Sequence, residues 1–396
     1  MSSEAAVGTQ PAESEQFQTD RVVTISIGHA VHDTYTAFLP PLLPAFVEKL
    51  TLTNTEAGLL TVFMQLPSLL QPFIGHLADR VSLRYLVIMA PAVGGVIMSL
   101  LGLAPTYGLL ALLLMVAGLN SATLHAVAPV MAGRLSGQKL GQGMGFWMVG
   151  GELGRTLGPI IVVTAVATLT LEGLPWLMVG GLVASAVLYG RLKDIPAALP
   201  PQGQGLPWKR ALRIMSPLLI PLAGIIVVRA FMVAALTTYL PIFLRGEGAE
   251  LWFAGVSLSV LEAAGVVGAM LGGSLSDRLG RRSILIISLV TTPLLMVAFL
   301  MVQGWLRFPL LLLLGFTSLS VTPVIMALVQ ESFPENRSLA NGIYMSLNFV
   351  LRSGVVVIVG AIGDLFGMRL AFFVSAGLTL LGLPFVLRLP TRRFRT

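Results

Sequence analysis

Twelve long apolar stretches recur along this chain, and they limit its fold more than any other feature of the sequence. A helix needs about 20 apolar residues to cross a bilayer, and each stretch is long enough to do so. The stretches lie at residues 22–46, 56–78, 85–104, 107–133, 141–168, 173–192, 216–244, 250–275, 284–303, 308–332, 340–365 and 369–389. This pattern predicts an all-α membrane protein with twelve transmembrane helices.

The composition favours the same class of protein. Of the 396 residues, 55% are hydrophobic and 11% are charged, whereas a soluble domain averages about 25% charged residues. The formal net charge of +7 does not indicate a nucleic-acid partner, because the basic residues lie between the apolar stretches. Basic residues in such positions orient membrane proteins. We therefore expect the lipid bilayer as the partner and no nucleic acid.

Turn and charge signals divide the chain into five parts. Residues 1–20 are polar and lack the apolar core of a signal peptide, so we expect a disordered cytoplasmic tail. Residues 21–192 and 216–390 are predicted to form two six-helix halves. Between the halves, residues 193–215 are a proline-rich cytoplasmic linker, and residues 391–396 are a basic cytoplasmic tail.

The distribution of lysine and arginine predicts the orientation in the membrane. Cytoplasmic loops of membrane proteins are enriched in these residues. Of the 25 basic residues, only Lys49, Arg245, Arg307 and Arg369 fall in loops opposite the linker. We therefore expect a multi-pass protein of the inner (plasma) membrane with both termini in the cytoplasm.

An internal repeat relates the two halves. Residues 75–84, which follow the second apolar stretch, match residues 273–282, which follow the eighth. Parallel repeats of this kind are typical of one class of secondary transporter, in which the binding site lies at the membrane midplane between the halves. The repeat predicts two pseudo-symmetric halves around such a site.

These two decapeptides resemble the loop signature of the major facilitator superfamily, G-x-L-x-D-R-x-G-R-[KR]. The second copy is complete, and the first has Ser82 where glycine is usual. Within the superfamily, residues 28–35, 65–72 and 150–159 resemble the fosmidomycin-resistance-type drug/proton antiporters. The resemblance implies the twelve-helix major facilitator fold and proton-coupled export. Met115 stands where many drug–proton antiporters carry an arginine, and His125 matches a histidine of the fosmidomycin-type group.

Glycines in the fifth stretch also predict a packing contact. Small residues let transmembrane helices pack closely, and the fifth helix carries a run of glycines at Gly141, Gly143, Gly145, Gly150, Gly154 and Gly158. The resemblance implies that this face slides against the eighth helix as the halves rock.

Six charged residues fall near the middle of apolar stretches. Each costs about 2.5–3.5 kcal/mol at the bilayer centre on insertion scales, so these side chains must face a hydrated cavity or one another. The alternative to a functional cavity is a set of static ion pairs. Glu152 and Arg155 are best placed to form such a pair, because residues three apart share a helix face. The six are Asp33, Glu152, Arg155, Arg229, Glu262 and Arg352.

Asp33 is the strongest candidate for proton coupling. It follows His29 by four residues, so the two side chains share a helix face, and His32 is its neighbour in sequence. A poorly hydrated cavity favours the protonated carboxyl, and histidine titrates near neutral pH. Glu152 and Glu262 are further candidates for this role. The alternative is that the two histidines only pack.

The mid-membrane arginines favour an anionic substrate. Arg229 and Arg352 have no carboxylate within one turn of their own helices, and a guanidinium offers a planar fork for carboxylate, phosphonate or phosphate. For each further candidate, ordinary packing is the alternative. These further substrate-binding candidates are Arg155, His125, Gln65, Asn348 and Tyr239.

The repeated loops supply candidate gating residues. Asp79, Arg80, Asp277 and Arg278 lie at the predicted cytoplasmic ends of the second and eighth helices. A carboxylate there can pair with arginine or with the positive N-terminus of another helix. The alternative is a solvated loop whose charges only fix the orientation.

Together these features predict a secondary active transporter that exports a small anionic or amphiphilic compound by alternating access and proton antiport. One alternative is a proton-coupled uptake symporter for an organic anion, and another is a non-transporting membrane receptor or scaffold. An enzyme is not expected, because no nucleophile–base pair or metal-site spacing is present. We expect a monomer that takes a small-molecule substrate and protons, driven by the proton gradient without a cofactor or a metal.

Overall fold

The computed structural model describes residues 16–78, 83–195, 208–333 and 337–389. Within these ranges the chain is helical, and no strand is present. The first membrane segment, α1, comprises Thr19–Thr36 and Leu39–Leu50. Eleven further helices are long and apolar enough to span a membrane. They are α2 (Asn54–Gly75), α3 (Arg84–Leu103), α4 (Tyr107–Leu135), α5 (Gln142–Leu169), α6 (Leu174–Leu192), α7 (Arg213–Gly246), α8 (Leu251–Leu279), α9 (Arg281–Met301), α10 (Gly304–Ser332), α11 (Gly342–Phe366) and α12 (Met368–Leu387).

The predicted twelve-helix, two-half fold is confirmed, but α1 is broken where the sequence indicated one continuous apolar stretch. Its two parts meet at a turn formed by Ala37 and Phe38, just before Pro40 and Pro41. Proline lacks the N–H that would continue the preceding helix, but it is tolerated in the first turn of a new one. The break therefore follows from the proline pair.

Two other spans change helix type near a proline. A 3₁₀ segment, Leu66–Leu70, interrupts α2 around Pro67. A π-helical segment, Ala235–Tyr239, interrupts α7 just before Pro241. Proline removes one backbone hydrogen bond and clashes with the preceding turn, and such local changes of helix type are frequent at functional sites.

Helix packing shows the two-fold relation between the halves. In the first half α1 packs on α5, α2 on α4 and α3 on α6, and the second half repeats these pairs as α7 on α11, α8 on α10 and α9 on α12. The halves meet through two equivalent contacts, α5 with α8 and α2 with α11. The interface between the halves is therefore formed mainly by α2, α5, α8 and α11.

The glycine face of α5 packs mainly on α1, which corrects the assignment of this face to α8. A Cβ added at Gly150, Gly154 or Gly158 would lie 2.3, 2.4 or 2.4 Å from the carbonyl oxygens of Ser26, Ala30 and Thr34, respectively. Small residues let two backbones approach this closely. The contact fixes α1 against α5 and does not leave this face free to slide along α8.

Gly154→Ala is expected to destabilise the protein by about 1–3 kcal/mol, the usual cost of overpacking. Its Cβ would also meet Asp33 Cβ at 2.8 Å, so the α1–α5 contact must widen. The midpoint of thermal unfolding in detergent measures the effect. Gly145→Ala on the same helix is the matched control, because a Cβ there meets nothing within 4 Å. An unchanged midpoint for Gly154→Ala would contradict the proposed close contact.

Candidate functional site

Asp33 lies on α1 between two histidines. His29 Nε2 is 3.3 Å from Asp33 Oδ2, and His32 Nδ1 is 3.1 Å from Asp33 Oδ1. All three residues are buried. One turn of helix separates His29 from Asp33, and this spacing puts both side chains on one face. The structure therefore brings together the three α1 residues that the sequence singled out for proton coupling.

A third histidine joins this cluster from another helix. His125, on α4, places its Nε2 atom 3.2 Å from His29 Nε2 and 3.7 Å from Asp33 Oδ1. The ring of Trp147 on α5 stacks on His29, with the ring centroids 3.6 Å apart. His125 was predicted to contact substrate. The structure places it in the carboxylate–histidine cluster formed by His29, His32, Asp33 and His125, and its contact with substrate stays a prediction.

Donor atoms of His29, Asp33 and His125 lie within 4.8 Å of one another, close enough to hold a single cation. Imidazole nitrogen and carboxylate oxygen bind protons, and they also ligate metal ions such as zinc. Sequence spacing gave no sign of this donor set, because His125 comes from a different helix. The prediction that the chain uses no metal stays a prediction.

Glu152 and Arg155 form an ion pair within α5, in which Arg155 Nη2 donates to Glu152 Oε1. This is the i,i+3 pair that the sequence indicated. Arg155 also interacts electrostatically with Glu262 on α8 and with Asp33 on α1. Arg155 therefore links Asp33 in the first half electrostatically to Glu262 in the second half.

Arg229 and Arg352 lie in the second half, on α7 and α11. Arg229 Nη2 donates to the backbone oxygen of Ser318 at 2.8 Å, and Arg352 Nη2 donates to Thr237 Oγ1 at 3.0 Å. The two guanidinium groups also repel each other. Arg352 Nε is buried without a hydrogen-bond partner. A buried donor left unpaired is costly, so this pair of arginines has unused capacity for an acceptor.

Glu262 interacts electrostatically with Arg352, whereas the described residues show no such interaction of a carboxylate with Arg229. No ion pair within 4 Å joins Arg229 or Arg352 to a carboxylate in the described parts of the chain. The single carboxylate of Glu262 does not balance two guanidinium groups, so a local excess of positive charge remains.

Tyr239 does not share this region. Its side chain is fully buried, and its hydroxyl donates to the backbone oxygen of Val356 at 2.8 Å, with a longer contact of 3.2 Å to the backbone oxygen of Asn54. The tyrosine therefore joins α7, α11 and α2, which argues against the predicted contact with substrate. Gln65 and Asn348 are half-buried and stay candidates.

Polar contacts between the halves cluster on the side of the membrane opposite the linker, which we call the far side. There Asp364, at the end of α11, accepts from the backbone N–H groups of Asn54 and Thr55 at 2.6 and 2.9 Å, and from both of their side chains. Arg245 also donates to Glu48 across the halves at 2.8 Å. A carboxylate at a helix N-terminus is stabilised by the free N–H groups and by the helix dipole. Asp364 therefore closes the far side.

Two of the predicted gating residues, Asp277 and Arg278, lie at the other side. Asp79 and Arg80 fall outside the described residues. Asp277 pairs with Arg281 at 2.6 Å, and Arg281 pairs with Glu331 at 2.8 Å, all within the second half. Arg278 is exposed. In this conformation the second signature loop is tied to its own half, and the gating role of the four residues stays a prediction.

A protein with this architecture, a charged midplane and a closure at one side is a membrane transporter of the two-half type. The sequence model of the Major Facilitator Superfamily, which describes the family's characteristic residues, matches residues 25–354 and 255–395 of this chain. The chain belongs to that superfamily, as the paired loop signature indicated. It is a membrane transporter and not an enzyme.

Relatives and solved structures agree with this assignment. The fosmidomycin resistance protein of Escherichia coli K12 is 24% identical over 373 residues, which cover 91% of this chain and 90% of that protein. The multidrug resistance protein MdtG of Escherichia coli is 26% identical over 360 residues, with coverage of 86% and 87%. The predicted likeness to drug-resistance transporters is confirmed.

Among solved structures, an inward-facing, occupied bacterial homologue of the human lysosomal transporter Spinster superposes with a TM-score of 0.79 at 13% identity, covering 98% of this chain and 100% of that one. A D-xylose–proton symporter superposes with a TM-score of 0.76 at 14% identity, covering 96% and 100%. At these identities the likeness establishes the fold alone.

Asp364→Asn is expected to weaken the far-side closure, because the amide has no charge for the α2 N-terminus and only one acceptor oxygen. The chain has no cysteine, so spin labels on Glu172→Cys and Glu250→Cys can report the far-side separation of the two halves. The population with the longer distance should rise. Glu56→Gln is the matched control, since Glu56 caps the same helix from within its own half. Equal distance distributions for Asp364→Asn and the unchanged protein would rule out this role.

Proposed function

We propose that this protein is a proton-coupled exporter of a small anionic or amphiphilic compound. The observation that carries the proposal is the separation of two charged sites: the carboxylate–histidine cluster in the first half and the unpaired arginines in the second. The names of the relatives, fosmidomycin resistance protein and multidrug resistance protein, support export of drug-like molecules. We further propose an inner-membrane monomer with cytoplasmic termini that works without a cofactor.

In this proposal the proton binds at the carboxylate–histidine cluster. Asp33 is the only carboxylate in the described part of the first half that contacts histidine. A charge this deep in the membrane is retained at a cost of several kcal/mol, which marks it as functional. Arg155, which interacts with both Asp33 and Glu262, provides an electrostatic route from the proton site to the interface.

The substrate anion binds at Arg229 and Arg352. Their charges are not neutralised by a close carboxylate in the described residues, and Arg352 Nε is an unused donor. An anion bound there would supply the missing acceptor and reduce the repulsion between the two guanidinium groups. Arginine binds carboxylate, phosphonate and phosphate through paired donors.

Proton-coupled uptake is the second candidate, because the same charges serve either direction and because the D-xylose–proton symporter has the same fold. Reconstituted proteoliposomes separate the two. Export by antiport requires that substrate and proton move in opposite directions, whereas symport requires the same direction. The sign of substrate accumulation under an imposed pH gradient therefore decides between them.

Asp33→Asn is expected to abolish accumulation driven by a pH gradient while the protein remains folded and inserted. Asparagine keeps the shape of the side chain but carries no charge. The measurement is the accumulation ratio in proteoliposomes, with the elution profile from size exclusion as the check on folding. Asp20→Asn is the matched control, because Asp20 lies on the same helix and pairs with exposed Arg191. A normal accumulation ratio for Asp33→Asn would remove this residue from the proton site.

Arg229→Gln and Arg352→Gln are each expected to weaken binding of an anionic substrate by about tenfold to a hundredfold, since a hydrogen bond to a charged group contributes about 1.5–3 kcal/mol. Lysine at either position should restore only part of the affinity, because a point charge lacks the fork. Binding measured by isothermal titration checks both. Arg213→Gln, at an exposed position of α7, is the control.

A double variant separates substrate binding from charge balance. Glu262 interacts with Arg352, so Arg352→Gln with Glu262→Gln removes both partners of that pair. If Arg352 only balances Glu262, the double variant should recover the transport lost in the single variant. If Arg352 binds the substrate, transport should stay lost. Full transport of an anionic substrate by the double variant would exclude Arg352 from the site.

A further inference from the structure

The tautomers of His29 and His125 follow from their backbone contacts. His29 Nδ1 lies 2.9 Å from the carbonyl oxygen of Trp147, and His125 Nδ1 lies 2.9 Å from the carbonyl oxygen of Ser121. A carbonyl oxygen only accepts hydrogen bonds, so these 2.9 Å contacts make Nδ1 the donor in both rings. The Ser121 hydroxyl, 3.3 Å from His125 Nδ1, is a longer contact. In a neutral imidazole the other nitrogen then carries a lone pair. Each Nε2 atom is therefore an acceptor when its ring is neutral.

These two acceptors point at each other. The Nε2 atoms of His29 and His125 are 3.2 Å apart, within hydrogen-bond distance. The carboxylate of Asp33 adds a further acceptor, with Oδ2 3.3 Å from His29 Nε2 and Oδ1 3.7 Å from His125 Nε2. With both rings neutral, the two Nε2 atoms and Asp33 Oδ2 would meet in a buried space with no donor among these three atoms. Such an arrangement is costly in a low-dielectric interior.

One added proton removes the conflict. A proton on either Nε2 atom makes an N–H···N hydrogen bond between the rings. It also places an imidazolium charge beside the Asp33 carboxylate, which is a stabilising pair. The Trp147 ring stacked on His29 adds the negative face of an indole, which attracts cations.

His32 is not a suitable place for this proton. Its Nδ1 atom donates to Asp33 Oδ1 at 3.1 Å, while its Nε2 atom is buried without a partner. A second proton on His32 would leave a buried N–H of a cation unsatisfied, which costs more than an unused lone pair. His32 therefore acts as a positioning residue that holds the carboxylate towards the other two histidines.

The remaining charges around the pair come from α5. Glu152 and Arg155 are paired with each other, and Arg155 interacts with Asp33. The charged groups that act on His125 are Asp33, His29 and His32, and none from α3 or α6 is found among the described residues. The His125 side chain is 33% exposed, whereas His29 is 5% exposed. His125 is therefore the more accessible ring of the pair.

We propose that one excess proton is shared between His29 Nε2 and His125 Nε2 while Asp33 stays an anion beside them. The inference rests on the proposed function for its part in transport. It makes the histidine pair the proton-binding group and gives Asp33 the role of counterion. The position of the proton can be measured without any transport assay.

Ring-¹⁵N-histidine labelling tests the site directly, because the chain has four histidines. In lipid nanodiscs near neutral pH, we expect both His29 and His125 to carry Nδ1–H, with one further proton joining their Nε2 atoms. His32 should be neutral. His125→Gln, and reciprocally His29→Gln, should lose the shared proton and leave the remaining ring neutral. His76→Asn assigns the fourth signal and, as the control, should leave the pair unchanged.

Three results would overturn the inference. The first is two neutral rings in the unchanged protein, with a protonated Asp33 carboxyl in the infrared spectrum. The second is an excess proton on His32. The third is a pair of signals that changes when a chelator is added, which would show a metal ion between the rings.

The nanodisc spectra and the transport assay can fail separately. A shared proton in a protein whose transport ignores the pH gradient would refute the proposed function and leave this inference standing. Gradient-driven transport without a shared proton would refute this inference and leave the proposed function standing.

Discussion

The close contact between α1 and α5 is the interaction on which the charged interior depends. Hydrocarbon offers no water to solvate a buried carboxylate, so Asp33 must find its partners within the protein. The glycines of α5 let the two backbones touch, and this contact brings the carbonyl oxygen of Trp147 to His29. The backbone contact thereby sets the orientation of the His29 ring, and this orientation points His29 Nε2 towards Asp33. A wider α1–α5 spacing would break the contact between His29 Nδ1 and the carbonyl oxygen of Trp147.

The two halves repeat the same helix pairs but carry different charged residues. The helix pairs repeat between the halves, yet the first half carries the carboxylate–histidine cluster and the second carries Arg229 and Arg352. The two sites meet through Arg155 and Glu262, whose side chains interact across the α5–α8 contact. Because α5 and α8 belong to different halves, any rocking of one half against the other changes this electrostatic contact. In the proposed function, a charge bound at either site therefore alters the electrostatic interaction between Arg155 and Glu262.

The sequence was sufficient for the helix number, the two halves and the location of the buried charges, because membrane spans and midplane charges are local signals. It also predicted the Glu152–Arg155 pair, which depends only on spacing within one helix. It did not show that His125 joins Asp33, since that contact depends on how α4 packs on α1. The run of glycines on α5 predicted a close helix contact but not its partner. Tyr239 was assigned to substrate because a tyrosine in an apolar stretch gives no sign of which carbonyl its hydroxyl meets.

Asp364 was missed for a related reason, and its position explains how one side is closed. At the end of an apolar stretch, a single carboxylate is indistinguishable from a solvated loop charge. Only the fold shows that it meets the N-terminus of α2 from the other half. The loop signature at residues 273–282 offers a similar carboxylate, Asp277, on the linker side, where Arg281 holds it within its own half. In the proposed alternating access, the far-side contacts of Asp364 break as linker-side contacts form. A carboxylate bound to exposed N–H groups is suited to that exchange, because water can replace each hydrogen bond at small net cost.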